Sequence, residues 1–452
     1  MFVIRDSFDD RFGDDMFELI ISYLPIEYKF RYESVSKRFQ RLIYNKQKYL
    51  IIDSRRDHID GLSKRQLFLM RNVFRVNLTA LKALLNKCKS IVDIEMDDKW
   101  IDNKSDVLNT IVNNCHYLTA IRFDFNEVNK RVLNKFIDKF GQQLRHISDI
   151  NHFSKSDHFF KLMAQILPNL SSISTIGIDS IQNQILSEKL VKINDLIVFD
   201  ANQNEFQLIS DKSLINLKFL NIFIQIEAKP EIKSIEPLSQ LKDLRVLKIS
   251  AELSDCGSDI WTNTIKSIAN NCLHLHTFWF NCFAKKQFNT KQCFESIAHF
   301  SGLKELSFIS KARLSSKDDD LDLKCLKNCK NLLALDLRFH TICDETFEGI
   351  QTIVPNLRQL TFESTIRQTL ITDRALENLS QLKGLQHIEI IGSSKVNITE
   401  SGVDSLINSC NRFKTFRTGR GVLFAKMRQT FLIKDLNKKH PNIELDINYC
   451  NH

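Results

Sequence analysis

From residue 88 onward the apolar residues fall into triplets at relative positions 0, +3 and +5. Ile91/Ile94/Met96 and Leu118/Ile121/Phe123 open the series. Leu244/Leu247/Ile249, Leu275/Phe278/Phe280, Leu303/Leu306/Phe308, Leu332/Leu335/Leu337, Leu357/Leu360/Phe362 and Leu385/Ile388/Ile390 continue it. Partial copies stand at Leu144/Ile147, Leu170/Ile173, Leu196/Phe199, Leu217/Leu220/Ile222 and Phe413/Phe416, so successive anchors lie 21 to 31 residues apart. Positions +3 and +5 alternate with polar residues, which predicts a short strand with one buried face. The return half of each unit reads as a helix. Phe347, Ile350 and Val354 share one face of a predicted helix over 344–354, with Asp344 as its N-cap. Similar helices follow Asp373 (Leu376, Leu379) and Ser401 (Val403, Leu406, Ile407). One strand and one helix cannot bury their apolar faces alone, so the units must stack. Between residues 124 and 240 the pattern is poor, and inserts such as 199–214 read as irregular repeats or loops.

The N-terminal stretch has a different pattern. Asp14 and Asp15 open a helix whose apolar positions are Met16, Leu19, Ile20, Tyr23 and Leu24, and Pro25 ends it. A second short helix is predicted from Ile26 to Val35. A third, from Ser36 to Tyr44, carries Lys37, Arg38 and Arg41 on one face and Phe39, Leu42 and Ile43 on others. Three helices in about thirty residues bury too little surface to stand alone, so this module leans on a partner or on the following domain. At the other end, Ala425–His440 is a basic helix candidate and Pro441–Ile447 a final alternating strand, together a cap for the stack.

Composition narrows the class. At 452 residues the chain exceeds the roughly 250–300 residues at which one compact core stops growing, so it is several domains or an elongated repeat. Thirty-three Phe against three Trp carries no functional implication. The start of the chain is too acidic for a signal peptide, and no window has the roughly 18 apolar residues of a membrane span. The expected setting is cytoplasmic or nuclear. Eleven cysteines, without a CxxC pair, should stay reduced there. Cys88, Cys115, Cys272, Cys329 and Cys410 each precede an anchor by three residues, a packing position. The net charge of +9 and pI near 8.9 are modest for 52.7 kDa, and no basic block occurs, so nucleic acid is not an expected partner.

Motifs of enzymes are absent: there is no GxxxxGK[ST], GxGxxG, HExxH or GxSxG. Cys272, His274 and His276 look like a metal cluster, but Cys272 fits the packing position. No metal or other cofactor is expected. Solvent-facing strand residues include Arg122/Asp124, Lys248, Trp279, Arg338, Glu363 and Glu389, a mixture in which no charge dominates. Among these, Trp279 and Arg338 are candidates for contact with a protein partner. Arg417 and Arg420, in the run RTGRG, could hold an acidic or phosphorylated group.

Two family resemblances complete the reading. The stretch NCKNLLALDL from Asn328, with ITDRAL from Ile371 and ITESGV from Ile398, resembles the cysteine-containing subclass of leucine-rich repeats. Residues 12–43 resemble an F-box, aligned without a gap. Phe12-Gly13 replaces the family's opening Leu-Pro, IISYL at Ile20–Leu24 matches the end of its first helix, and VSKRF at Val35–Phe39 matches its closing Val-Cys-Lys-Arg-Trp. The run from Glu33 to Arg41 is similar to arthropod F-box/leucine-rich-repeat proteins in particular. The resemblance implies an α/β repeat fold: a small all-α F-box of three helices, then a curved leucine-rich-repeat solenoid with parallel strands on the concave face and helices on the convex face. The implied domains are an F-box (1–50), a helical linker or N-terminal cap (51–87), the solenoid (88–424), and a C-terminal helix and capping strand (425–452). By resemblance the chain is a non-catalytic substrate-recognition subunit of an SCF-type ubiquitin ligase. Its F-box would dock on the Skp-family adaptor, and through it on a cullin-RING ligase, by Phe12, Ile20, Leu24, Pro25, Val35 and Phe39. The alternative is a non-degradative leucine-rich-repeat scaffold with a vestigial F-box.

Overall fold

The computed structural model describes residues 16, 18–20, 23–24, 28–29, 36–52, 78–96, 101, 103–125, 127–148, 169–176, 192–199, 214, 216–226, 235–253, 258–284, 289–310, 322–339, 342–364, 371–391, 395–418, 423–424 and 436–447. The chain divides into two compact units, Met1–Ile193 and Asn194–His452.

The first unit carries strands β1 (Tyr49–Ile52), β2 (Asp93–Met96), β3 (Ala120–Arg122), β4 (His146–Ser148) and β5 (Ser172–Ile176), each parallel to the next. The helices are α1 (Lys37–Lys46), α2 (Leu78–Lys87), α3 (Lys104–Asn114) and α4 (Lys130–Phe140), and the last three pack in succession. Asn103 and Asn129 cap α3 and α4 by accepting the N–H groups of Asp106 and Arg131. Phe123, Phe125, Phe136 and Phe140 form a chain of rings with centroids 5.2 to 5.7 Å apart. Fully burying one such side chain stabilises the fold by about 1.5–3 kcal/mol.

The ladder begins earlier than the apolar triplets indicate. Leu50 and Ile52 pair with Ile94 and Met96, which places them at +3 and +5 of a further repeat. Its position 0 is Gln47, 7% exposed. A polar residue at that anchor hides the repeat from a search for hydrophobic spacing.

Among the described residues the second unit carries ten strands of a parallel ladder and a smaller sheet of three. Strands β6 (Asp195–Phe199), β7 (Phe219–Ile226), β8 (Val246–Leu253), β9 (Thr277–Ala284), β10 (Glu305–Ser310), β11 (Ala334–Phe339) and β12 (Gln359–Ser364) follow one another, with helices α5 (Ser258–Asn271) after β8 and α6 (Thr290–Glu295) after β9. Beyond β12 the chain alternates between the sheets. β13 (Ile371–Thr372), β15 (Lys395–Asn397) and β17 (Leu423–Phe424) form the small sheet, and β14 (His387–Ile390), β16 (Thr415–Thr418) and β18 (Glu444–Ile447) extend the ladder. One parallel strand per repeat is the arrangement expected of a leucine-rich-repeat solenoid. The anchors from Leu217 to Ile390 are buried in register.

Each repeat is stitched to the next at the start of its strand. The carbonyl of Lys218 accepts the N–H groups of Arg245 and Val246 at 2.8 and 3.0 Å. Arg245 does the same for His276 and Thr277, and His276 for Lys304 and Glu305. The cysteine position adds a second stitch. The Cys329 thiol donates to the Phe300 carbonyl at 3.2 Å, Cys410 to that of Leu382 at 3.4 Å, and Cys272 to those of Leu238 and Ser239 at 3.8 Å. Each bridges to the preceding repeat while filling a small apolar site.

Two expectations about local structure are corrected. In the region of poor pattern, Leu196 and Val198 pair with Leu220 and Ile222, so they hold +3 and +5. Position 0 is therefore Ile193 (1% exposed), not Leu196, and the repeat does not run Leu196/Phe199. The spacings there become 23 and 24 residues, closer to the rest. The second correction concerns residues 344–354. These form a 3₁₀ turn (Asp344–Phe347) and a single α-turn, α7 (Ile350–Ile353), not one helix. Gly349 breaks them with φ 68°, a left-handed conformation that glycine adopts without a Cβ penalty. Asp344 does not cap its own turn. Its carboxylate accepts the N–H and hydroxyl of Thr372 in the next repeat at 2.8 and 2.5 Å.

The predicted later helices are present as α8 (Asp373–Ser380) and α9 (Glu400–Ser409), capped by the side chains of Thr372 and Thr399. Helix length follows repeat length. The 31-residue spacing from Leu244 to Leu275 holds the 14-residue helix Ser258–Asn271. The 25-residue spacing from Leu332 to Leu357 holds only the 3₁₀ turn and α7. A 3₁₀ turn rises more per residue and spans the same return with fewer residues.

Candidate functional site

Two surfaces carry the side chains singled out from sequence. The first is the N-terminal segment. Met16 and Glu18–Ile20 are helical, as are Tyr28 and Lys29. α1 is anchored by Leu42 and Ile43, 5% and 1% exposed. Glu18 reaches back to Lys46 on α1 at 3.0 Å, and the Lys29 ammonium donates to the Gln47 side-chain carbonyl at 3.2 Å. Burial lowers the Lys29 pKa. These two contacts tie the segment to the end of α1.

Among the described residues four large apolar side chains face outward here: Met16 (46% exposed), Leu19 (51%), Ile20 (39%) and Tyr23 (79%). Met16, Leu19 and Ile20 are spaced i, i+3, i+4 along one side of a helix, and Tyr23 follows at i+7 in the turn. Of the residues assigned to adaptor docking, Ile20 belongs to this exposed group and Leu24 is half-buried. Phe39 lies on α1. Phe12, Pro25 and Val35 lie outside the described residues. Sequence patterning lists Met16, Leu19 and Tyr23 as apolar helix positions; their exposure follows from tertiary packing.

The second surface is the outward face of the ladder in the second unit. From β7 onward register aligns the residue between +3 and +5 of each repeat: Asn221, Lys248, Trp279, Ser307, Asp336, Thr361, Glu389, Arg417 and Asp446. Trp279 is 43% exposed, and the Lys248 ammonium lies 3.6 Å from its ring centroid and 5.8 Å from that of Phe219. Arg338 is engaged within the face: its Nε and Nη2 donate to the two carboxylate oxygens of Asp336 at 3.0 and 3.1 Å. The Ser307 hydroxyl donates to the same carboxylate at 3.0 Å. Arg417 is likewise bound to Glu444 at 2.6 Å. Arg420 lies outside the described residues. Beside Arg417, burial and the charges of Lys414 and Arg417 hold the His387 pKa below its ordinary value, favouring a neutral imidazole.

Cys272, His274 and His276 do not converge. The Cys272 thiol turns to the preceding repeat, and His276 shares a hydrogen bond with Thr277 at 3.1 Å. Among the described residues no group of three His, Cys, Asp or Glu side chains could hold a metal ion, and no helix is long and apolar enough to cross a membrane. Burial pushes the Cys115 and Cys272 thiols up to about 12 and that of Cys329 to about 11. Protonated thiols are poor nucleophiles, which suits their packing role.

No family model matches the chain, and no curated protein matches it. Among solved structures the chain is similar to one in the Rad7 and Elc1 complex in yeast, at 16% identity over 86% of this chain and 94% of that one, with a TM-score of 0.44. It is also similar to one in the mouse RP105/MD-1 complex, at 13% identity over 78% of this chain and 63% of that one, with a TM-score of 0.38. The repeat fold therefore rests on the strand register described above.

Proposed function

We propose that the chain is a non-catalytic substrate-recognition subunit of an SCF-type ubiquitin ligase. In this reading the N-terminal segment docks on a Skp-family adaptor, and the adaptor links it to a cullin-RING ligase. The outward ladder face holds a protein substrate for ubiquitination and proteasomal degradation. The observation that carries the reading is the exposed apolar set Met16, Leu19, Ile20 and Tyr23, within a segment whose residues resemble an F-box. Such a cluster on a short helix favours burial against a partner.

The test is co-purification of the tagged full chain with a Skp-family adaptor and cullin. Wild type should capture both. Leu24→Ala with Pro25→Ala should abolish capture, since a central apolar anchor carries roughly 2–4 kcal/mol of an interface. Ile20→Asp should do the same, and because that side chain is 39% exposed, circular dichroism of the variant must first show that the fold is retained. Failure of wild type to capture the adaptor would leave the non-degradative scaffold and overturn the ligase reading.

A further inference from the structure

Register gathers charge that is scattered in sequence. The residue after position 0 is Lys218, Arg245, His276 and Lys304 in four consecutive repeats. These residues precede β7, β8, β9 and β10, where neighbouring strands lie about 4.8 Å apart. Lys218, Arg245 and Lys304 are exposed, and His276 is half-buried. The next outward row is Phe219, Val246, Thr277 and Glu305, then Asn221, Lys248, Trp279 and Ser307, then Phe223, Ser250, Asn281 and Ile309. Across these four rows the sole carboxylate is that of Glu305, and it accepts the Thr277 hydroxyl at 3.2 Å.

The two halves of the ladder face differ in kind. From β11 onward arginine is matched to acid, Arg338 with Asp336 and Arg417 with Glu444. Over β7–β10 the cations have no carboxylate partner among the described residues. Lys248 lies against the rings of Phe219 and Trp279. Trp279 and Phe223 are 43% and 37% exposed. A row of unneutralised cations beside exposed aromatic rings complements a chain that carries carboxylates and apolar side chains together. Four strands span about 14 Å, which an extended peptide crosses in about five residues.

We propose that the β7–β10 face is the substrate subsite and that it takes an acidic, extended peptide segment bearing an aromatic or aliphatic residue. Carboxylates face Lys218, Arg245, Lys304 and Lys248, and the apolar side chain lies against Trp279 and Phe223. This rests on the reading that the ladder face holds substrate, but its test needs no adaptor.

The probe is a fluorescein-labelled, capped peptide, Glu-Glu-Phe-Glu-Leu-Glu-Glu, titrated with the full chain and read by fluorescence anisotropy. Its controls are the same peptide with Lys for every Glu, and a labelled oligo(dT). Saturable binding of the acidic peptide alone is expected. Trp279→Ala should weaken it about 30-fold, as loss of an aromatic hot spot does. Arg245→Glu with Lys248→Glu should abolish it, and Arg338→Ala should leave it unchanged. The proposal falls if the acidic peptide does not bind, if the lysine peptide binds equally, or if Trp279→Ala has no effect. It falls too if oligo(dT) binds more tightly with the same variant sensitivities, which would assign the face to nucleic acid. Adaptor capture with no peptide binding overturns this subsite alone; peptide binding with no adaptor capture overturns the ligase reading alone.

Discussion

Replacing Gly402 by Ala is expected to loosen the junction between the repeats of α8 and α9. A Cβ at Gly402 would lie 2.1 Å from the Asp373 Oδ1, 2.5 Å from its Cγ and 3.1 Å from its Cβ. Those atoms cannot stay where they are. The Asp373 carboxylate accepts the Thr399 N–H at 2.7 Å and the Thr399 hydroxyl at 2.5 Å, so displacing it breaks the stitch from α8 to the cap of α9. Two partly solvated hydrogen bonds to a carboxylate are together worth about 2–3 kcal/mol. Alanine inside a helix recovers about 1 kcal/mol over glycine. The net loss is about 1–2 kcal/mol. The sign should change once the obstacle is removed. In an Asp373→Ala background the stitch is already lost, and Gly402→Ala should be neutral or stabilising by up to about 1 kcal/mol. Urea denaturation followed by circular dichroism measures the four variants of this cycle. Hydrogen exchange at the Thr399 amide reports the local opening directly, which matters because repeat arrays can lose cooperativity. An equal loss in both backgrounds would refute the steric argument.

Two further outcomes follow from the titrating groups. Because burial raises the Cys115 and Cys272 thiols to about 12, neither should react with a thiol-exchange reagent at pH 8 in the folded chain, and both should react after unfolding; peptide mapping checks this, and native labelling at either site would contradict it. Asp404, hydrogen-bonded to His440 at 2.6 Å, is held below its ordinary carboxylate pKa by that bond. Its contribution is therefore present above the ordinary Asp range and lost as pH falls through the depressed value. Protection factors over residues 436–447, taken relative to the intrinsic exchange rate at each pH, should fall on acidification, and His440→Ala should flatten that dependence; a profile unchanged by the substitution would refute a stabilising role for the contact.

Much of the fold was legible in the sequence. The 0, +3, +5 triplets specify a strand with one buried face, and Leu335 and Leu337 can satisfy that pattern only by stacking on the same positions of neighbouring repeats. The helices after Asp373 and Ser401 are legible from their apolar spacing; their caps, Thr372 and Thr399, come from the structure, where the side-chain oxygens meet N–H groups that have no helical partner. The misreadings arose where a local rule met a tertiary constraint. Gln47 occupies an anchor without being apolar. Ile193 replaces Leu196 as an anchor because register with β7, not hydrophobicity, decides between them. Asp344 reads as a cap for its own helix, but its carboxylate turns to Thr372 in the next repeat.

The candidate surfaces divide along the same line. Sequence alone marks Ile20, Leu24 and Trp279 by type and local pattern, and it determines that each repeat presents outward residues of some kind. It cannot say that Lys218, Arg245, His276 and Lys304 are neighbours, since each lies 27 to 31 residues from the next. Nor can it say that Arg338 and Arg417 are already matched by Asp336 and Glu444. Those facts belong to the tertiary structure. Parallel register sets residues one repeat apart at strand spacing, so charges remote along the chain act as a single surface.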